Sequence, residues 1–454
     1  MKQDVFFIYP LLFTFSLLIG CNKSEGTTTT YSEALVTSLS FAKNDSFPGL
    51  AKASFTIVTS TDTGSIYNLD SLLYGTQLDS VVPRFTFNHT PALSILYCDT
   101  DTVIYSGADT VSMVKQPCRL FVLASDQKTA KWYDIRVNVH QVDPDLYTWE
   151  CLTPSVYMSD GAESKAFLQD GTFYLLTNDG FTTKLYTSSN ASDWSAPQGV
   201  SGLPPMCHVR NILLAGGTFL YADGDRLYRS TDAMSWSADD YSAEPFRLIN
   251  TLYIFNDSVW CIAQRRSDNK LQFAAAGFDD SRFALTGDTL PDRFPISDFG
   301  AEVFATSSLR PRAMIIGGYD LRGQALNTRW NIEFLENRGY RMTDFTIEQP
   351  QYSPLVGASV VWYNHEFHLF GGSNAAAEID SITQLVSTDE GLTWELPDST
   401  KNKLPSSYRP RQKTTVIVDD KHYIYIFGGQ DRTTTFSDVW RGRLNKTTFS
   451  DYED

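Results

Sequence analysis

Three times in its C-terminal half the chain spells an apolar run, two glycines, a polar loop and a tryptophan. AMIIGG ends at Gly318, FHLFGG at Gly372 and YIYIFGG at Gly429, followed by Trp330, Trp394 and Trp440. The interval is about 50 residues, enough for one small antiparallel sheet but too little to bury both of its faces, so such units must stack on one another. YIYIF is apolar at successive positions, as a strand covered on both faces has to be. Across 146–454 six pairs of an inner and a second strand can be read: AFLQDGTFYLL, ILLAGGTFLYA, LINTLYIFNDSVWCIA, EVFATSSLRPRAMIIGG, SVVWYNHEFHLFGG and TVIVDDKHYIYIFGG. After Trp440 only RGRLNKTTFSDYED remains, with no strand to complete the last unit. YTWECLTP at 147–154 reads like LTWELPDS at 392–399, so the strand 147–153 is expected to pair into the last unit and leave no open edge.

The apolar strand, Gly-Gly, loop and Trp pattern of the last three units resembles the kelch repeat, whose unit is one blade of a β-propeller. The resemblance implies a six-bladed kelch-like β-propeller over 146–454. Ser387, Asp389, Gly391 and Trp394 stand in the S-x-D-x-G-x-x-W order of the Asp-box, with degenerate copies SSNASDW and STDAMSW ending at Trp194 and Trp236. That box occurs in sialidases and in many proteins that hydrolyse nothing. Its Ser and Asp can accept backbone N–H groups of their own turn and its Trp can pack between sheets, which makes it first a fastener of the fold.

Residues 31–143 alternate short β-type runs with turn residues: LVTSLSF, ASFTIVT, RFTFN, SILYC, CRLFVLAS and WYDIRVNVHQV. Tyr133, Ile135, Val137 and Val139 share one face of the last run, the period of two of a half-buried strand. Six or more such strands suggest an Ig-like β-sandwich, so the fold class expected is all-β with two domains. Cys98 and Cys118 could form a disulfide or remain two buried thiols.

At the front, Val5–Ile19 is apolar behind Lys2, too short for an ordinary membrane span, and reads as an export signal over 1–20. Leu18-Ile19-Gly20-Cys21 resembles a bacterial lipobox, which implies lipidation of Cys21, a tether over 21–30 and a protein anchored to a membrane through lipid alone. GLAKASFTI, GSIYNLDSLLYGTQ and IRVNVHQVDPD are similar to two-domain lipoproteins of Bacteroides-like gut bacteria. That resemblance implies a cell-envelope location, on the outer membrane, and supplies no biochemical activity.

The formal net charge of −16 repels nucleic acid, which is excluded as a partner. No C-x-x-C pair or His cluster provides metal-ligand spacing, and His365 and His368, three apart on a hairpin, should face opposite ways. No metal, cofactor or catalytic set is assigned, and a monomer is expected. Asp99 with Asp101 and Asp279 with Asp280 could hold calcium but suit turns equally. The most suggestive set precedes the inner strands, where crossovers of a propeller ring one mouth of its channel. There lie Arg210, Arg247 and Arg409 or Arg411, with Asp160 and Asp298. Arginines so placed suit a carboxylate or sulfate, and equally a salt bridge between blades.

Three functions follow from different classes. The first is a binding module for a glycan or surface protein, using Arg210, Arg247, Asp298 and Arg411. The second is a sialidase-like exo-glycosidase with the arginines on a carboxylate and Asp298 or Asp160 as acid, although no Tyr and Glu pair can be assigned to it. The third is a structural or assembly subunit at the cell surface.

Overall fold

The computed structural model describes residues 30–446, apart from 62, 100, 158–161, 279, 281, 307, 309, 347–354 and 375–383. The export signal, Cys21, Asp160 and Asp279 lie outside the described residues. The described chain is all β apart from three short 3-10 turns. It divides into two compact units between Gln141 and Val142.

The first unit holds a six-stranded sheet and the two-stranded pair Val36–Phe41 with Pro83–Phe87. Both sheets contribute to one core, which includes Leu39, Phe85, Ile66, Leu120 and Tyr133. Tyr133 and Ile135 are buried while Trp132 is exposed, the alternation that the period of two requires. Two strands escaped the sequence reading, Thr63–Tyr67 and Asp101–Ile104. The first of these pairs in parallel with Ala130–Arg136, so the larger sheet is mixed. Parallel partners far apart in sequence have no turn signal between them, which is why pattern reading finds them poorly.

Cys98 ends Leu93–Cys98, Cys118 begins Cys118–Leu123, and the two neighbouring strands carry a Cys98–Cys118 disulfide. It closes a loop of sequence separation 20, for which the chain-entropy relation gives about 3 kcal/mol of stabilisation. Replacing both cysteines by Ala should therefore lower the stability of this unit by about 3 kcal/mol. Hydrogen-exchange protection at Ile66 and Leu120 reports it, and unchanged protection would contradict the bond.

Among the described residues the second unit contains six antiparallel sheets in chain order. Their first strands are Glu163–Gln169, Leu213–Ala215, Phe246–Phe255, Gly300–Ala305, Ser359–Tyr363 and Thr415–Val418. The sixth sheet is completed from the other end of the unit: Tyr147–Thr153 lies antiparallel to Val439–Leu444, with Trp149 opposite Gly442 and Tyr147 opposite Leu444. Every neighbouring pair of sheets shares an apolar core. Phe167 and Phe219 join the first and second, Leu220 and Val259 the second and third, and Phe273 and Ile315 the third and fourth. Met314 and Leu369 join the fourth and fifth, Phe370 and Ile426 the fifth and sixth, and Phe427 and Phe173 return from the sixth to the first. The cycle of cores is closed.

Because both faces are covered, Ala313–Ile316, Phe367–Phe370 and Ile424–Phe427 are buried at every position. The paired glycines follow from close approach as well as turn geometry. Gly371 has φ 66°, and a Cβ there would run into the carbonyl oxygen of Arg411, which enters the next sheet. Gly372 N–H donates to that same oxygen at 3.2 Å.

The S-x-D-x-G-x-x-W segment is a local fastener. Asp389 Oδ1 accepts Thr393 N–H at 2.8 Å, Ser387 Oγ accepts Gly391 N–H at 2.9 Å, and Trp394 Nε1–H donates to Gly391 O at 3.0 Å. Trp194 to Ala191 and Trp236 to Ala233 repeat the last bond at 3.0 and 3.1 Å. The side chains of Ser387, Asp389 and Trp394 thus make these hydrogen bonds inside their own turn.

Candidate ligand-binding channel

The six first strands, with the short turn Val209–Asn211 bridging the first and second, follow one another in cyclic order around a cavity of about 230 Å³. Each sheet contributes wall: Lys165 from the first, Leu213 from the second, Thr251 from the third, Glu302 from the fourth, Ser359 from the fifth and Thr415 from the sixth. Side-chain hydroxyls tie these strands together. Ser359 Oγ–H donates to Thr414 O at 2.6 Å, Thr415 Oγ1 accepts Ala166 N–H at 3.3 Å, and Thr251 Oγ1–H donates to Asn211 O. A polar, narrow, water-accessible well results.

Two of the residues singled out from sequence meet at its rim. Arg210 sits in the short turn Val209–Asn211 that leads into the second sheet, and Asp298 lies just before the fourth. Arg210 Nε is 3.6 Å from Asp298 Oδ1, and Arg210 Nη1–H donates to Thr414 O at 2.9 Å, reaching from the second sheet to the strand of the sixth. Lys413 Nζ approaches Asp298 Oδ2 at 3.3 Å. His208 Nδ1 lies 3.6 Å from Glu163 Oε2, and that carboxylate holds the imidazole above its ordinary range.

Arg247 and Arg411, expected at the same mouth, do not line the cavity. Arg247 is inside a strand rather than before it, and its Nε–H donates to Gln264 Oε1 at 2.7 Å on the neighbouring strand. Arg411 is buried, 1% exposed, and fully engaged. Its Nη1 and Nη2 bind Asp438 at 2.5 and 3.1 Å, Nη1–H also reaches Gly428 O at 3.1 Å, and Phe436 covers the guanidinium at 3.8 Å. Arg409 pairs with Asp431. Three arginines therefore do not converge on one carboxylate.

The sequence reading missed two charged residues of the wall, Lys165 and Glu302. Burial, with the positive charge of Arg210, pushes the Lys165 amine down to about 8, against the opposing pull of Glu163 and Glu302. Burial also pushes the Glu302 carboxyl up to about 8, despite the Trp362 N–H and Lys165. The signal available was a charged side chain directly before the apolar residues of an inner strand, as in ESKAF and GAEVF. His368 is elsewhere, buried between Tyr147 Oη at 3.3 Å and Gln384 Nε2 at 3.2 Å, and desolvation pushes it down to about 4. It is a neutral core histidine. Asp101 accepts Ser112 N–H at 3.0 Å and Asp280 accepts Gly277 N–H at 2.6 Å, so both serve local backbone.

A family model described as DUF6242 beta propeller domain matches residues 143–452, and one described as Domain of unknown function (DUF6242) N-terminal domain matches residues 24–137. No curated protein matches the chain. Among solved structures it is similar to YjhT, at 11% identity and a TM-score of 0.46 over 63% of this chain and 96% of that one. It is also similar to Penicillium chrysogenum α-L-arabinanase complexed with arabinobiose, at 11% identity and a TM-score of 0.41 over 67% and 99%. A third is the SapL1 lectin in complex with α-methyl fucoside, at 13% identity and a TM-score of 0.37 over 61% and 90%. With its two matched regions in tandem, this chain belongs to the DUF6242 family and carries that family's β-propeller as its C-terminal domain.

Proposed function

We propose that the chain is a cell-envelope binding protein, an Ig-like domain followed by a six-bladed kelch-type propeller that receives one polar unit of a glycan in its channel. The single observation behind this reading is that one small cavity draws a strand from every sheet and is walled by hydroxyl and charged side chains. Convergent polar groups in a concavity are the usual form of a ligand site. The exo-glycosidase reading is weaker, since Arg210 is the one member of its arginine set that lines the well.

The test is retention on a glycan array. Arg210→Ala should abolish it, while Arg247→Ala, away from the well, should leave it unchanged. Equal behaviour of the two variants would contradict the channel as the site. The envelope address rests on the lipobox-like residues before Cys21. Cys21→Ser should move the protein from the membrane to the soluble fraction, and continued sedimentation with membranes would refute the anchor.

A further inference from the structure

The channel wall runs against the charge of the molecule. The chain as a whole carries −16, yet the well is lined by two cations, Lys165 and Arg210, and two acids, Asp298 and Glu302. Asp298 is already shared between Arg210 and Lys413. Glu302 accepts the Trp362 N–H at 3.4 Å, and its desolvated carboxyl is mostly protonated at neutral pH. At neutral pH the wall is thus net positive.

Lys165 is a half-buried residue of the wall, and Arg210 Nε is buried with no hydrogen-bond partner among the described residues, Asp298 Oδ1 standing off at 3.6 Å. A buried charged donor short of a partner is costly. An ammonium and a guanidinium in one well, beside the Ser359 and Thr415 hydroxyls, form a half-built anion site. At about 230 Å³ the cavity falls below the range of roughly 300–1,000 Å³ of drug-sized sites, which fits one sugar ring and not an oligosaccharide.

Resting on the channel-binding reading above, we propose that the well selects a uronic acid, its carboxylate held between Lys165 and Arg210 and its hydroxyls by Glu302, Ser359 and Thr415. The source is a free sugar acid or a uronate at the end of a glycan chain.

A pH signature follows. Lys165 faces Arg210, Glu163 and Glu302, and Glu302 faces Lys165. Above a pH of about 8 Lys165 loses its proton and Glu302 gains charge, so both changes weaken anion binding. His208 at the rim, held above its ordinary range by Glu163 with Asp298 and Lys413 near, loses its charge in the same direction as pH rises. Each titrating wall group contributes about tenfold per pH unit once its pKa is passed.

Calorimetric titration of the full chain with glucuronate, methyl glucuronide and glucose tests the proposal at neutral pH and one to two units higher. Glucuronate should bind at least about tenfold tighter than glucose at neutral pH, as a charge-assisted contact implies. Its affinity should fall by up to about a hundredfold with rising pH while that of glucose does not. Lys165→Met should weaken glucuronate by about tenfold to a hundredfold. Glu302→Gln should halve the logarithmic loss of affinity at high pH relative to its own neutral-pH value, a readout that stands even if the Lys165 variant melts early. Methyl glucuronide binding as tightly as glucuronate would assign the source to chain ends, and much weaker binding would assign it to free sugar acids. Equal affinity for glucose and glucuronate, or a flat pH profile, would overturn the uronate while leaving the channel reading intact. If arrayed glycans are retained but not through Arg210, both fall.

Discussion

Replacing Arg411 by Met should destabilise the propeller by about 3–5 kcal/mol, because it leaves a desolvated carboxylate without its cation. Asp438 has two guanidinium contacts and one other, from Trp440 Nε1–H at 2.8 Å. The guanidinium in turn is boxed by Phe436 at 3.8 Å and Tyr408 at 4.3 Å, and Nε–H is spent on Arg409 O at 3.0 Å. Removing both charges, as Arg411→Met with Asp438→Leu, should restore most of the loss, since a buried pair replaced by apolar groups is often near neutral. Tryptophan emission during urea unfolding measures this unit, because of the nine tryptophans Trp132 alone lies before Val142. A single variant as stable as the parent would mean that Arg411 is not the internal strut described.

Gly442→Val should be the second large effect, about 1–3 kcal/mol from overpacking. Gly442 lies opposite Trp149 across the closing pair, and a Cβ at 442 would land on the indole ring. The ring cannot retreat freely: Phe370 stands edge-on to it at 6.0 Å. Displacing Trp149 loosens Tyr147–Thr153 from Val439–Leu444, which leaves Val439–Leu444 as an open edge prone to pairing with other chains. Hydrogen exchange should speed up first in 147–153. Acceleration elsewhere, with that strand still protected, would show that the ring does not depend on the pair.

The apolar strands before each Gly-Gly could be read in the sequence because covering both faces of a sheet leaves an unbroken apolar run, and because Gly371 must let Arg411 O pass. The hairpin turn at Gly216 and Gly217 uses the same two letters for another purpose, with φ of 52° and 79° between the first two strands of its sheet. The letters alone do not distinguish the two. Three arginines in similar settings met three fates. Arg210 stands in a turn and leans across the rim, Arg247 is already inside its strand, and Arg411 finds an acid and two aromatic rings within its own sheet. Which fate an arginine meets depends on partners brought in from positions distant in sequence, such as Thr414 for Arg210. Lys165 and Glu302 were missed for a related reason: a residue of an inner strand faces the channel only once the ring is closed.

The most direct measurement is the position of a bound sugar in crystals soaked with a ligand retained on the array. The account predicts one ring inside the well bounded by Lys165, Arg210, Thr251 and Ser359. A sugar seated on another surface, with the well free of it, would contradict the account.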